Sequence, residues 1–154
     1  MASPEAGPVP AFFAGLSPEQ AEAVRDASRE VAFPDGGVIL QEGRRAHGCW
    51  VIRTGEVALT ASVPGVVPVV LQTLGPGDIV GWSWLTEPRR WLFTATARGP
   101  VHALELDTDR IRALADTDPA FGYALTRTLL DAVLSRLQST RARLLDVYRS
   151  PRDR

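Results

Sequence analysis

The sequence predicts a mainly β domain with flanking α-helices, a sandwich or barrel framed by an N-terminal helix and a long C-terminal one. Between residues 38 and 106, short runs rich in Val, Ile, Leu, Thr and Trp recur between Gly and Pro clusters, the spacing expected of an all-β sandwich or barrel. On both sides of that stretch the apolar residues fall at helical spacing instead. The 154 residues suit one domain, large enough to bury about two thirds of the surface its unfolded chain exposes.

Residues 1–15, rich in Pro, Ala and Gly, read as a loose arm with Phe12 and Phe13 as anchors onto the domain. Ser17, Pro18 and Gln20 form a capping box with proline at the first helical position, which predicts a helix over 18 to about 31. Phe33-Pro34-Asp35-Gly36-Gly37 ends it with turn residues. The candidate strands are 38–41, 48–52, 56–62, 66–74, 79–80, 93–97 and 101–106, with Pro64-Gly65 as a hairpin turn. Asp107 caps a short helix through Ile111 and Leu114. A final helix over 118–148 would measure about 45 Å, longer than a domain of this size needs to cover its own core. A tail over 149–154 follows, carrying Arg149, Arg152 and Arg154.

That excess length points to a partner. Leu130, Val133, Leu137, Thr140, Leu144 and Val147 alternate in spacings of three and four, with Arg136, Arg141 and Arg143 off the seam. This is an a/d pattern for self-association, set against a helix that folds back on its own barrel.

Composition excludes several classes of function. The formal charge is −1, which argues against a surface built wholly for nucleic acid. All 17 basic residues are Arg, a group that is always charged and suited to planar oxyanions. Cys49 is the single cysteine, so no intrachain disulfide forms and a reducing compartment is compatible. The uncharged run over 57–77 is broken by prolines and glycines and is no membrane span. No secretory leader pattern is evident, and the expected location is the cytoplasm. His47 and His102 lack companions at metal-ligand spacing, so no metal site is expected. Glu42 and Glu56 are not paired as acid and base, and no lysine exists for a phosphate loop. The chain does not read as an enzyme.

The most informative stretch is Leu74-Gly75-Pro76-Gly77-Asp78-Ile79-Val80-Gly81-Trp82-Ser83-Trp84-Leu85, followed by Pro88-Arg89-Arg90-Trp91-Leu92. A glycine turn feeds a short strand that ends at Gly81, and a one-turn segment follows whose backbone N–H groups would be free to hold an anion. With Val38-Ile39-Leu40-Gln41-Glu42-Gly43 and Val51-Ile52-Arg53-Thr54-Gly55-Glu56-Val57, it resembles the cyclic-nucleotide-binding domain of the catabolite-activator (Crp/Fnr-like) superfamily, a bacterial regulatory group. The resemblance covers 16–148. It implies an eight-stranded jelly-roll β-barrel, a short phosphate-binding helix after Gly81, and a long C-terminal helix that dimerises.

The same resemblance marks two departures. At the place of a glutamate that accepts from the ribose 2′-OH stands Trp82, and at the place of the phosphate-binding arginine stands Trp91. An indole has one donor and no acceptor, so it replaces neither group. The candidate cassette is therefore Gly81, Trp82, Ser83, Trp84, Leu85, Arg89, Arg90, Trp91 and Leu92, with Arg89 or Arg90 able to meet a phosphate by a small loop shift. Trp82, Trp84 and Trp91 either box a flat ring or fill the pocket and anchor a partner.

The expected function is a sensor or regulatory module that does not bind cAMP in the family's manner, with a cyclic nucleotide or another nucleotide-like anion left open as ligand. The alternative is an interaction or scaffold subunit of a larger cytoplasmic assembly, its pocket filled by its own tryptophans. A homodimer is expected, a protein partner is left open, and DNA binding is not expected, since six residues beyond Tyr148 cannot form a reading head.

Overall fold

The computed structural model describes residues 15–149; the anchors Phe12 and Phe13 and the tail arginines Arg152 and Arg154 lie outside the described residues. Helix α1 (Pro18–Asp26) starts at the expected capping box, with Ser17 Oγ accepting from Gln20 N and Gln20 Oε1 accepting from Ser17 N. It ends five residues earlier than expected, because Ser28–Phe33 forms strand β1. The cause is non-local: β6 (Thr94–Leu106) offers a free edge to which β1 pairs from Ser28↔Leu106 to Phe33↔Val101. Tertiary pairing overrides the helix-compatible Arg29-Glu30.

Strand β2 (Val38–Leu40) pairs with the opposite end of β6. The expected strands 48–52 and 56–62 are one strand, β3 (Cys49–Ala61), and 93–97 and 101–106 are likewise joined in β6. Gly55 makes the first join possible. Its φ is +95°, and a Cβ there would lie 2.4 Å from Pro100 O, so only glycine lets the two long strands approach with their register shifts. Strands β4 (Val69–Leu74) and β5 (Ile79–Val80) pair with the other side of β3. The path is β1-β6-β3-β4, antiparallel throughout. Counting β3 and β6 as two arms each recovers the eight segments of the expected jelly roll.

Helix α2 (Thr108–Thr117) is capped by Asp107, and α3 (Pro119–Arg149) follows it. The barrel interior is filled by Val51, Ile52, Val57, Leu59, Val101 and Leu106, all buried. Phe121, Leu125 and Leu129 join this core from α3, one helical turn apart. From residue 137 onward every described α3 residue is exposed.

Candidate functional site

The cassette lies between β5 and β6. Residues 81–91 form no helix: two successive turns take its place, closed by Leu85 N donating to Trp82 O at 3.2 Å and Arg89 N donating to Thr86 O at 3.0 Å. The short phosphate-binding helix that the resemblance implies is thus reduced to a single turn over 82–85, in which Leu85 N is taken up by Trp82 O. Pro88 supplies no donor and Arg89 sits at φ +53°, so a helix has nothing to continue on.

The segment then binds back to the β2–β3 loop. Trp91 N donates to Arg44 O, Gly43 N to Trp91 O and Ala46 N to Arg89 O, at 2.9, 2.8 and 2.6 Å, with an antiparallel bridge between Arg45 and Arg90. Because side chains alternate along such a bridge, Trp91 is aimed into the barrel while Arg90 stays outside.

Trp91 is 3% exposed and Trp84 2%. Gly81, at φ +90°, has Trp91 Cη2 only 2.8 Å from where a Cβ would stand. Trp50 tilts against Trp91 with centroids 6.2 Å apart. Two of the buried indole N–H groups find acceptors, Trp84 Nε1 on Gly81 O at 3.1 Å and Trp50 Nε1 on Glu105 Oε2 at 2.9 Å, as desolvated donors require. The rings thus pack against the cassette glycine itself.

Trp82 is half-buried at the rim. Phe93 meets it edge-on at 6.3 Å, and the Arg136 guanidinium from α3 lies 3.9 Å above its ring. Arg136 Nη2 donates to Ile79 O at 2.7 Å, while Nη1 has no partner. Burial pushes this guanidinium down to about 10, with Asp78 pulling the other way.

The two candidate arginines are engaged locally. Arg89 Nε is 3.1 Å from Glu87 Oε1, and Arg90 Nη1 donates to Gly43 O at 3.0 Å. Ser83 and Leu85 are half-buried, and Leu92 faces outward. Trp50, Phe93 and Arg136 belong to the site and were not singled out from the sequence for it. Only the shared aromatic character of Trp50 and Phe93 hinted at them, and Arg136 carried no local signal.

On α3, Leu130, Leu137, Leu144 and Val147 are exposed, Val133 is half-buried, and Thr140 is exposed with its Oγ1 donating to Arg136 O at 2.9 Å. A groove of about 560 Å³ runs between α3 and the β4–β5 turn, lined by Gln72, Asp78, Arg127, Asp131 and Arg136 among others. Among the described residues no helix is long and apolar enough to cross a membrane.

The model of the family described as "Cyclic nucleotide-binding domain" matches residues 30–118. The HTH-type transcriptional regulator Cmr of Mycobacterium tuberculosis is 26% identical over 138 residues, 90% of this chain and 54% of the regulator. The chain therefore spans about half the length of that relative. A solved structure of a putative cyclic nucleotide-binding protein from Geobacter metallireducens is 34% identical, with a TM-score of 0.76 over 89% of this chain and 99% of the other. The N-terminal domain of a transcriptional regulator from Streptomyces coelicolor is 28% identical, with a TM-score of 0.67 over 86% and 90% of the two chains. The jelly roll and the family match agree, and the chain belongs to the cyclic nucleotide-binding domain family.

Proposed function

We propose that this chain is a non-enzymatic regulatory module whose nucleotide pocket is filled by its own tryptophans, and that it acts as a cytoplasmic homodimer joined along α3. The observation that carries this reading is the Trp91 ring packed on Gly81, where a Cβ would stand 2.8 Å from it. A phosphate has to approach that backbone closely to use its N–H groups, and the indole occupies the approach. With tryptophans at both family positions, a cyclic nucleotide also loses two hydrogen bonds involving charged groups. Each is worth about 1.5–3 kcal/mol, so affinity falls by about a hundredfold or more.

The exposed Leu130, Leu137 and Leu144 line supports a second copy as the partner, since an apolar seam of this kind gains most from burial against its like. A thermal-shift panel of cAMP, cGMP, dinucleotides and simple anions tests the reading. No cyclic nucleotide should raise the melting temperature, and a saturable rise with cAMP would overturn it.

A second reading keeps a ligand-sensing role and moves the ligand outward. The groove beside α3 carries Arg127 and Arg136 together with Asp78 and Asp131, and a small anion would seat on the arginine side. A rise in melting temperature with a simple anion alone would support this reading over the first.

A further inference from the structure

The chain enters the described fold at the wall of the groove beside α3. Gly15 lines that groove, with Thr128 Oγ1 3.6 Å from where a Cβ on Gly15 would stand, and Leu16 next to it packs against the core. From Thr128 the groove follows one face of α3 as far as Arg136, about 12 Å of helix. Its apolar part comes from Leu74 at the end of β4, Ile79 on β5 and Ala132 on α3. The side chains of α3 along it are short at Thr128, Ala132 and Ser135, which leaves room beside the helix for another stretch of backbone.

Two polar side-chain atoms of groove residues are buried with no hydrogen-bond partner among the described residues, Gln72 Oε1 and Arg136 Nη1. One is an acceptor and the other a donor. Buried polar groups left unmet in this way are costly, and folded proteins rarely keep them. A lone anion answers the donor and leaves the acceptor unmet. A stretch of peptide answers both, because each residue other than proline carries one N–H and one C=O.

We propose that this groove is a peptide-docking site and that its occupant is the chain's own residues 11–14, laid extended along α3 with Phe12 and Phe13 as the apolar anchors. Four extended residues cover about 14 Å, which carries the chain from Gly15 to Arg136. The unpaired Arg136 Nη1 at the far end sets that direction. Pro10, at the outer end of the segment, disfavours a helix there and brings no N–H of its own. Backbone N–H groups of 11–14 meet Gln72 Oε1, and a carbonyl of the same stretch meets Arg136 Nη1. Neighbouring side chains of an extended segment point to opposite sides, so one phenyl ring covers Leu74 and Ile79 while the other closes over the helix side. No linker separates the segment from its seat, and a free peptide or a second copy competes against a tethered one.

Amide hydrogen exchange on the full chain, in dilute solution where light scattering reports a single chain, tests the docking. Residues 11–14 of the parent should exchange more slowly than those of a Phe12→Ser, Phe13→Ser double variant by about tenfold or more, with β3 and β6 unchanged. Gln72→Leu, which removes the acceptor and keeps the apolar surface, should speed exchange over the same residues. A fluorescein-labelled peptide of residues 8–15 should bind the double variant saturably and the parent about tenfold more weakly or less, because the parent's groove is taken. Equal exchange over 11–14 in parent and double variant would overturn the proposal. So would protection seen only where light scattering reports a dimer, which assigns the segment to a second copy. Inorganic phosphate that raises the melting temperature of parent and double variant alike also contradicts it, since Arg136 then belongs to a free anion. If the double variant fails to fold, Gln72→Leu decides, and unchanged exchange over 11–14 sinks the docking. Tight cAMP binding would sink the filled-pocket reading and leave these results standing.

Discussion

Large apolar side chains meet opposite fates in the cassette and on the distal half of α3. Trp84 and Trp91 are almost wholly removed from water, whereas Leu137 is 62% exposed and Val147 68%. The cassette side chains fill the barrel from within, and the helix side chains remain on offer. In a family whose name describes a bound ligand, this chain buries Trp84 and Trp91 at the cassette and leaves the helix surface exposed. On the reading proposed above, recognition falls to the helix.

The largest expected effect comes from breaking the closed side. Trp91→Ala removes a buried indole beside Gly81 and Trp50, a loss of about 3–5 kcal/mol. In a chain of this length each kcal/mol shifts the melting temperature by about 2–4 °C, so a thermal melt should fall by about 6–20 °C. Trp91→Arg places a guanidinium in the same buried space without a partner and should lower stability further, to the point of poor folding. A Trp91→Arg chain that melts like its parent would show that the ring is dispensable filler and that the cassette can accept the family's arginine.

Breaking the open side should leave the fold and remove the partner. Leu137→Arg sets two charges across a two-fold seam of roughly two and a half heptads, a cost of several kcal/mol that so short a contact cannot absorb. Light scattering should report a dimer for the parent and a monomer for the variant, with unchanged melting of the dilute chain. A parent that stays monomeric at high micromolar concentration contradicts the dimer.

Cys49 sharpens the closed side with a smaller effect. It is fully buried on β3, and burial pushes its thiol from 9.0 up to about 12, with a hydrogen bond to Trp84 opposing. The folded value lies above the unfolded one, so this contribution to stability is complete below pH 9.0 and is lost as pH rises toward about 12. Iodoacetamide at pH 8.5 should leave the native thiol unmodified while labelling the denatured chain. Native labelling at the denatured rate would show an open barrel.

The sequence showed the barrel clearly, because its turns are written in glycine and proline. The Pro64-Gly65 hairpin, the Asp107 cap and the start of the long helix all stand where those residues put them. Failures occurred where a distant partner decides. Ser28–Phe33 is a strand only because β6 has a free edge, and nothing within those six residues records that edge. The inward aim of Trp91 depends on the bridge of 89–91 to 43–46, two loops whose pairing leaves no periodicity. Arg136 lies off the leucine seam and reads as a solvent-facing charge until the barrel is placed beneath it. The cassette was therefore legible as a location, and its contents as two alternatives that only packing separates.

Calorimetric titration of cAMP into the unmodified chain tests most directly whether the cassette is closed. With Trp91 seated on Gly81 and no carboxylate or arginine at the two family positions, the account predicts no binding heat up to about millimolar nucleotide, a free energy weaker than roughly 4 kcal/mol. A saturable isotherm of one nucleotide per chain in the micromolar range or tighter would contradict it.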